Sequence, residues 1–287
     1  FDRFEQSINP DHLPHAVIID CTADASVAGR YGGWLENGIH VITPNKRACS
    51  GPFDEYKALQ AKAHQGSSHF FYETTVGAAL PIISTLRDLI DTGDEIHSVQ
   101  GIFSGTLAYL FNLYDGSVPF SAIVREARDS GYTEPDPRDD LSGMDVARKL
   151  TILAREMGLS TGIGDFPVQS LVPKPLQSGS IDEFLENLSD YDDEIQSRYE
   201  KAAAAGQKLR YVGRLDADGN VSVGLESVAA DHPFSNINLT DNIVQFETAR
   251  YSANPLYVQG PGAGPEVTAA GIFAELLRLA KYLSAGV

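Results

Sequence analysis

Asp145 and Lys149 are the acid and amine in this chain best spaced to act together. On a helix, residues four apart lie on one face, here with the carboxylate N-terminal to the ammonium. Such a pair either moves a proton and holds a charged ligand, or is a solvated surface pair contributing about 0.2–0.5 kcal/mol. The two residues close the stretch Gly131 to Lys149, GYTEPDPRDDLSGMDVARK, which also carries Glu134, Asp136, Asp139 and Asp140. Pro135 and Pro137 fix their own φ and push the preceding residues away from helix. Glu134-Pro135-Asp136-Pro137 is therefore expected as a stiff, extended, non-helical lead-in that delivers Glu134. Ser142 is expected to cap the next helix, with Asp145 as the acid of a capping box. Val146, Leu150, Ile152 and Leu153 give that helix an apolar pattern that ends near Gly158.

The elements that must position this stretch begin with Ala16 to Asp20, a short buried-strand pattern. A helix carrying Val27, Tyr31, Trp34 and Leu35 follows, then a strand at His40 to Thr43, a tight turn at Pro44 to Arg47 and a helix over Phe53 to Gln65. His69 to Tyr72 is the third strand. Strands and helices alternating at this spacing predict βαβ units and a parallel sheet. Ligands of such sheets bind beyond the carboxyl ends of the strands, which picks out Cys21-Thr22-Ala23-Asp24 and Thr43-Pro44-Asn45-Lys46. A dinucleotide fold should open with a G-x-G-x-x-G turn, and none lies in the first half of the chain.

Beyond Glu73 the pattern changes. The small-residue run Glu73-Thr74-Thr75-Val76-Gly77-Ala78-Ala79-Leu80-Pro81 suits either exposed carbonyl oxygens or close packing of a strand on a helix. Ala79 to Ile90 reads as a helix and Glu95 to Ile102 as a strand. Gly101-Ile102-Phe103-Ser104-Gly105-Thr106 then starts a helix whose free N–H groups can meet an anion. Ser180 to Ala205 is acidic and helical, with Phe184, Leu185, Leu188, Tyr191 and Ile195 on its expected buried side. Lys208 to Leu215, Val221 to Val228, Ile243 to Tyr251 and Leu256 to Gln259 predict an antiparallel sheet, joined first by hairpin chemistry at Asp216 to Asn220. A glycine turn, Gly260-Pro261-Gly262-Ala263-Gly264, enters a last helix over Glu266 to Leu283. Its apolar positions are Val267, Ala270, Phe273, Leu276, Leu277 and Ala280.

Bulk properties narrow the class. With 287 residues the chain is long enough for two domains, and its 43% hydrophobic and 21% charged composition is that of an ordinary globular protein. A formal net charge of −17 argues against nucleic acid or an anionic membrane as partner. No apolar run approaches a membrane span, and no signal peptide opens the chain. Cys21 and Cys49 form no C-x-x-C and the histidines no H-x-x-x-H, so reduced thiols are expected and a zinc site has little support.

The run from Gly131 to Lys149 closely resembles the signature of homoserine dehydrogenases, a GYTEPDPRDDL loop leading into a G-x-D-V-A-R-K helix. The resemblance extends from Ala16 onward. It includes an E-x-x-V-G-A-x-L-P-I segment, the GIFSGT run and a G-x-G-A-G-x-x-V-T-A-x-G run at the last helix. DHPF at Asp231 to Phe234 and RYVG at Arg210 to Gly213 resemble most the dehydrogenase portion of bifunctional aspartokinase–homoserine dehydrogenases.

This resemblance implies an α/β fold: a Rossmann-type nucleotide-binding domain, incomplete because its first βαβ turn is absent from this chain, with an inserted α+β catalytic and dimerisation domain. The implied boundaries are 1–79 and 259–287 for the nucleotide-binding part and 80–258 for the insert. The chain is then expected to begin inside its first domain, as the C-terminal piece of a longer protein. The implied reaction is NAD- or NADP-dependent interconversion of aspartate 4-semialdehyde and homoserine. Lys149 is the expected proton donor to the developing alkoxide, with Lys46 the second choice. Glu134 and Asp145 are expected to hold the substrate, helped by Gly105 and Thr106. Thr22, Lys46, Gly131, Glu134, Gly262 and Gly264 are the expected cofactor contacts. A monovalent cation, Na⁺ or K⁺, is implied at Glu73 and the carbonyls of Val76, Ala78 and Leu80. Burial would lower the Lys149 pKa and Asp145 would raise it, and the sequence leaves that contest open. A homodimer or higher oligomer, fusion to an upstream aspartokinase and a cytoplasmic or plastid location complete the expectation. The alternatives are a dehydrogenase of another amino-acid semialdehyde and an inactive regulatory or dimerising unit.

Overall fold

The computed structural model describes Ile8 and residues 14–284; the polar, irregular stretch expected over Phe1 to His15 lies almost wholly outside them. The chain opens with β1 (Ala16–Ile19), α1 (Ala25–Ala28), α2 (Tyr31–Glu36), β2 (Ile39–Ile42), α3 (Arg47–Ser50), α4 (Phe53–Gln65) and β3 (Phe70–Phe71). The three strands form a sheet in the order β1-β2-β3 with both pairings parallel. Where one helix was expected after β1 there are two. Gly29 ends the first, and Gly32 and Gly33 sit inside the second, where glycine is a poor helix former.

A 3₁₀ turn at Glu73–Thr75 leads into α5 (Ile82–Asp91), which starts later than the expected Ala79. Pro81 caps it, Gly77 and Ala78 have φ of +77° and +53°, and such backbone cannot be helical. β4 (Ile96–Ile102) and α6 (Gly105–Leu113) follow, then α7 (Phe120–Asp129), a helix the sequence reading passes over. The segment expected to be extended through Pro137 stops one residue earlier, because Pro137 opens α8 (Pro137–Leu141). A proline at the first helical position loses only an N–H that would have been orphaned. The Asp136 side chain caps this turn by accepting from Arg138 N at 3.0 Å.

The remaining elements are α9 (Met144–Glu156), α10 (Ile181–Asn187), α11 (Asp192–Ala204), β5 (Gln207–Asp216), β6 (Val221–Ala229), β7 (Asp241–Thr248), β8 (Leu256–Pro261) and α12 (Pro265–Ser284). Strands β6-β5-β4-β7-β8, in that order, make a wholly antiparallel sheet. β8 runs past the boundary expected at 258 and carries the chain straight to the glycine turn. Helix α9 lies against β5, at Gly213. A Cβ there would come within 2.9 Å of Leu150 and 3.0 Å of Val146, so this glycine lets the helix approach the sheet.

The last helix returns to the parallel sheet, as expected. Its Tyr282 ring stacks on His69 and Phe71 at 5.4 Å and 6.2 Å between centroids. The buried face differs from the expected one: Gly271, Glu275 and Leu279 are buried, whereas Phe273 is 58% exposed and Leu277 49%. The reason is the partner surface. Gly271 sits against the backbone of Ala78 and Ala79, and Glu275 accepts from Glu73 N at 2.7 Å and from the Thr74 hydroxyl at 3.0 Å.

Candidate active site

The loops after β1 and β2, the starts of α6 and α9 and the turn before α12 enclose a cleft of about 750 Å³. Helix α9 delivers the central pair. Its N-cap is Gly143 at φ +73°, in the left-handed region that favours glycine, and a Cβ there would also strike the Tyr211 hydroxyl. Ser142 ends α8; its hydroxyl accepts from Met144 N at 3.2 Å. The capping box expected at Ser142 and Asp145 is therefore absent, and one forms instead between Ser180 and Glu183. Freed from capping, Asp145 faces two cations. One carboxylate oxygen lies 2.7 Å from Lys149 Nζ and the other 3.4 Å from Lys46 Nζ.

Lys149 is only 6% exposed, and its ammonium also donates to the Phe103 carbonyl at 2.6 Å. Burial pushes the ammonium below the ordinary lysine range; Asp145 opposes this and the nearby Lys46 charge adds to it. Burial thus wins the contest that the sequence leaves open. For Asp145 itself burial pulls upward, but Lys149 and Lys46 together hold its carboxyl well below the usual range.

Lys46 is set by a buried polar knot. Asp20 accepts from Thr22 N at 2.8 Å, from Asn45 Nδ2 at 3.1 Å and from the Tyr31 hydroxyl. Asn45 Nδ2 also donates to Asp24 O at 3.0 Å, and Thr43 Oγ1 accepts from Asn45 N at 2.9 Å. This knot ties the two strand-end loops to each other. Arg155, two turns along α9 from Lys149, donates to the carbonyls of Cys49 and Gly51 at 2.6 Å and 2.5 Å and so ties the second loop to the helix.

On the loop and short helix that lead into α9, Glu134 and Asp140 stand together on the cleft, with Asp140 accepting from Glu134 N at 2.8 Å. Burial, with Glu134 and Asp145 nearby, pushes the Asp140 carboxyl up to about 6. Gly105 and Thr106 line the cleft at the start of α6, where Ser104 caps by accepting from Leu107 N at 3.2 Å. Thr22, Gly262 and Gly264 complete the walls. Gly131 does not: it turns the chain after α7 at φ +75°, off the cleft wall.

The Glu73 segment backs onto this site. Gly77 and Ala78 reach the cleft wall; Glu73, Val76 and Leu80 lie behind it. The Glu73 oxygens accept from Ile83 N and Ser84 N at 2.7 Å and 2.8 Å, and Oε2 also faces the Arg278 guanidinium at 3.9 Å. Leu80 O accepts from Ile82 N at 2.9 Å; the Val76 and Ala78 carbonyls accept no hydrogen bond among the described residues. Free carbonyl oxygens and a carboxylate are the hard donor set that suits a small cation. A dinucleotide fits the walls at Thr22, at the Lys46 loop and at the glycine turn, since it needs hydroxyls, cations and close backbone approach.

Sequence reasoning gave no role to Asp20, Arg47, Asp140, Arg148 and Arg155, and it picked out Asn45 only as part of a strand-end loop. Asp140 and Arg148 sit in the stretch it singled out, and Asp20 ends a recognised strand. Arg155 gives no local signal, because its partners are about a hundred residues away.

Two family models cover almost all of the chain: one for homoserine dehydrogenase matches residues 81–277, and one for the homoserine dehydrogenase NAD binding domain matches residues 5–73. The chain belongs to the homoserine dehydrogenase family. It is 54% identical over 287 residues to the chloroplastic bifunctional aspartokinase/homoserine dehydrogenase 1 of Arabidopsis thaliana, covering 99% of this chain and 32% of that protein. The chain therefore spans about a third of that relative's length. Homoserine dehydrogenase of Saccharomyces cerevisiae is 47% identical over 274 residues, covering 93% of this chain and 76% of that one. A crystal structure of a Candida auris protein described as of unknown function is 44% identical and superposes with a TM-score of 0.89, covering 93% of this chain and 76% of that one. Membership brings an NAD-binding domain with it, formed here around the three-stranded parallel sheet.

Proposed function

We propose that the cleft interconverts L-aspartate 4-semialdehyde and L-homoserine with NADP or NAD. The observation that carries this is the buried Lys149 ammonium, held between the Asp145 carboxylate at 2.7 Å and the Phe103 carbonyl at 2.6 Å, where the strand-end loops meet α6. A bound NAD(P) supplies the hydride in reduction and accepts it in oxidation. As the aldehyde oxygen becomes an alkoxide, Lys149 gives it a proton; in the reverse direction neutral Lys149 takes the hydroxyl proton. A lysine with its pKa lowered by burial serves both directions better than one at its ordinary value. Asp145 orients that amine. Lys46, 3.4 Å from the same carboxylate, adds positive charge near the developing oxyanion.

Glu134 and Asp145 suit the substrate ammonium, with Asp140 supporting Glu134. The first amides of α6, at Gly105 and Thr106, suit its carboxylate. Thr22, Lys46, Glu134, Gly262 and Gly264 are the cofactor contacts in this reading. Gly131 takes no part in it, as it stands off the wall. Na⁺ or K⁺ at Glu73 and the carbonyls of Val76, Ala78 and Leu80 would stiffen the turn behind the cleft. The wider reading is a homodimer or higher oligomer, joined to aspartokinase as in the bifunctional relatives, serving threonine and methionine synthesis in a plastid or cytoplasm. The domain division at 79 and 258 belongs to the same reading. The direct test is NADPH and NADH oxidation with aspartate 4-semialdehyde, and the reverse reaction with homoserine. A protein that retains its fold yet turns over neither substrate, in either direction, defeats the proposal.

A further inference from the structure

Four cations line the cleft, and they are not equally placed. Lys46 and Lys149 share Asp145. Arg47 and Arg148 have no such partner: among the described residues neither guanidinium forms a hydrogen bond or an ion pair. Arg47 is exposed at the start of α3, on the nucleotide side of the cleft; Arg148 is half-buried on α9, directly before Lys149. Helices α3 and α9 pack on each other and both arginines line the same cleft, and after burial itself Arg47 is the largest influence depressing the Arg148 pKa. Asp145 and Asp139 oppose it, but Asp145 is already taken by both lysines. A half-buried guanidinium beside a second one, without a counter-ion, leaves charge and planar N–H forks unmatched. Carboxylates and phosphates are the groups whose oxygens fit such forks.

We propose that Arg47 and Arg148 form an oxyanion subsite where the strand-end loop meets the Lys149 helix, taking a carboxylate or phosphate group of one of the two reactants. The subsite rests on the function proposed above only for what those reactants are. One arginine comes from the nucleotide side and the other from the catalytic helix, so an oxyanion held by both bridges the two elements. The group is either the carboxylate of the amino-acid substrate, then shared with the first amides of α6, or a phosphate of the dinucleotide, and kinetics separates them.

The experiment has two arms on the full chain: wild type, Arg148→Met, Arg148→Lys and Arg47→Gln. In the first, inorganic phosphate is titrated calorimetrically into each protein without reactants. Arg148→Met is expected to weaken phosphate binding by about 10- to 100-fold, the loss typical of a charge-assisted hydrogen bond. Arg47→Gln should weaken it less, and Arg148→Lys should restore part of it. The second arm measures KM for the aldehyde and for NADPH separately. A rise of about tenfold or more in one KM, larger than any fall in kcat, names the source: the aldehyde for the carboxylate, NADPH for the phosphate. Phosphate binding equal in wild type and Arg148→Met overturns the subsite. So does a Met variant that loses thermal stability and kcat together while both KM values hold. If wild type shows no dehydrogenase activity, the function fails, yet the phosphate arm still judges the subsite.

Discussion

Helices α9 and α12 are both amphipathic in sequence, and they are used in opposite ways. α9 buries the face its pattern announces: Val146, Leu150, Ile152 and Leu153 are each at most 1% exposed, and the helix lies on β5. Of its charged residues Asp145, Arg148 and Lys149 line the cleft, where the apolar contact of the helix holds them. α12 leaves Phe273 and Leu277 exposed and docks through a glycine, a glutamate and one leucine. A hydrophobic stripe thus identifies a helix, but the surface it meets decides which stripe is buried. α9 meets the apolar face of a sheet, open at Gly213. α12 meets a turn of free backbone groups, and Glu275 answers them.

If α9 is the chemical helix, the largest effect belongs to its lysine. Lys149→Ala is expected to lower kcat by about 10²–10⁴-fold, the usual worth of a positioned general acid, with cofactor affinity nearly unchanged. Steady-state kinetics with a separate NADPH titration decides it, and near-normal kcat would shift the proton to Lys46. Asp145→Asn should also move the pH profile. Asp145 raises the Lys149 pKa, so its loss lowers that pKa further. Reduction needs the ammonium and fades as pH rises through the lysine pKa, so in the variant it should fade at lower pH. A limb that stays in place would show that another group sets it.

If α12 docks by close approach and not by its apolar stripe, Gly271→Leu should break it. A Cβ at this site already lies 3.1 Å from the Ala78 carbonyl oxygen, the Ala79 Cα and the Thr74 hydroxyl. Overpacking against backbone costs about 1–3 kcal/mol, which outweighs the gain of about 0.8 kcal/mol from replacing glycine in a helix. Chemical denaturation should show that net loss; a stabilised variant would mean the helix stands off the turn.

The same comparison explains what the sequence discloses. The parallel sheet, the antiparallel sheet and α9 are legible because period and turn chemistry are local. The cleft residues on α9 and the strand ends are legible for the same reason, and through a long motif. The Asp20 knot, the Arg155 anchor and the Glu275 contact escape because each joins residues distant in sequence, where a buried polar group reads as an ordinary surface one. Pro137 misleads because one residue type both ends an extended run and begins a helix.

Glu275 sharpens the contrast through pH. Burial pushes its carboxyl up to about 7 from an ordinary value of 4.5, against the hydrogen bonds from Glu73 N and Thr74 that pull it down. A carboxyl whose folded pKa is raised favours the protonated fold, so stability is highest below the unfolded pKa. It declines as pH rises from about 4.5 toward 7 and is flat beyond, a span worth up to about 3 kcal/mol. Glu275→Gln keeps an acceptor for Glu73 N and removes the titration, so its stability should change less with pH across that window. Parallel stability curves for the two proteins would show that Glu275 is not held this way.

The smallest effect is the most pointed. Were the apolar stripe of α12 its docking face, Phe273→Gln would remove a buried ring and cost about 3–5 kcal/mol, as large-to-small core changes do. Phe273 is instead 58% exposed, so the change should stay within about 0.5 kcal/mol, the range of ordinary surface substitutions. Urea denaturation of the isolated chain measures the difference directly. A loss above about 2 kcal/mol would mean that the ring is covered in solution, and would return α12 to the face its sequence pattern first suggests.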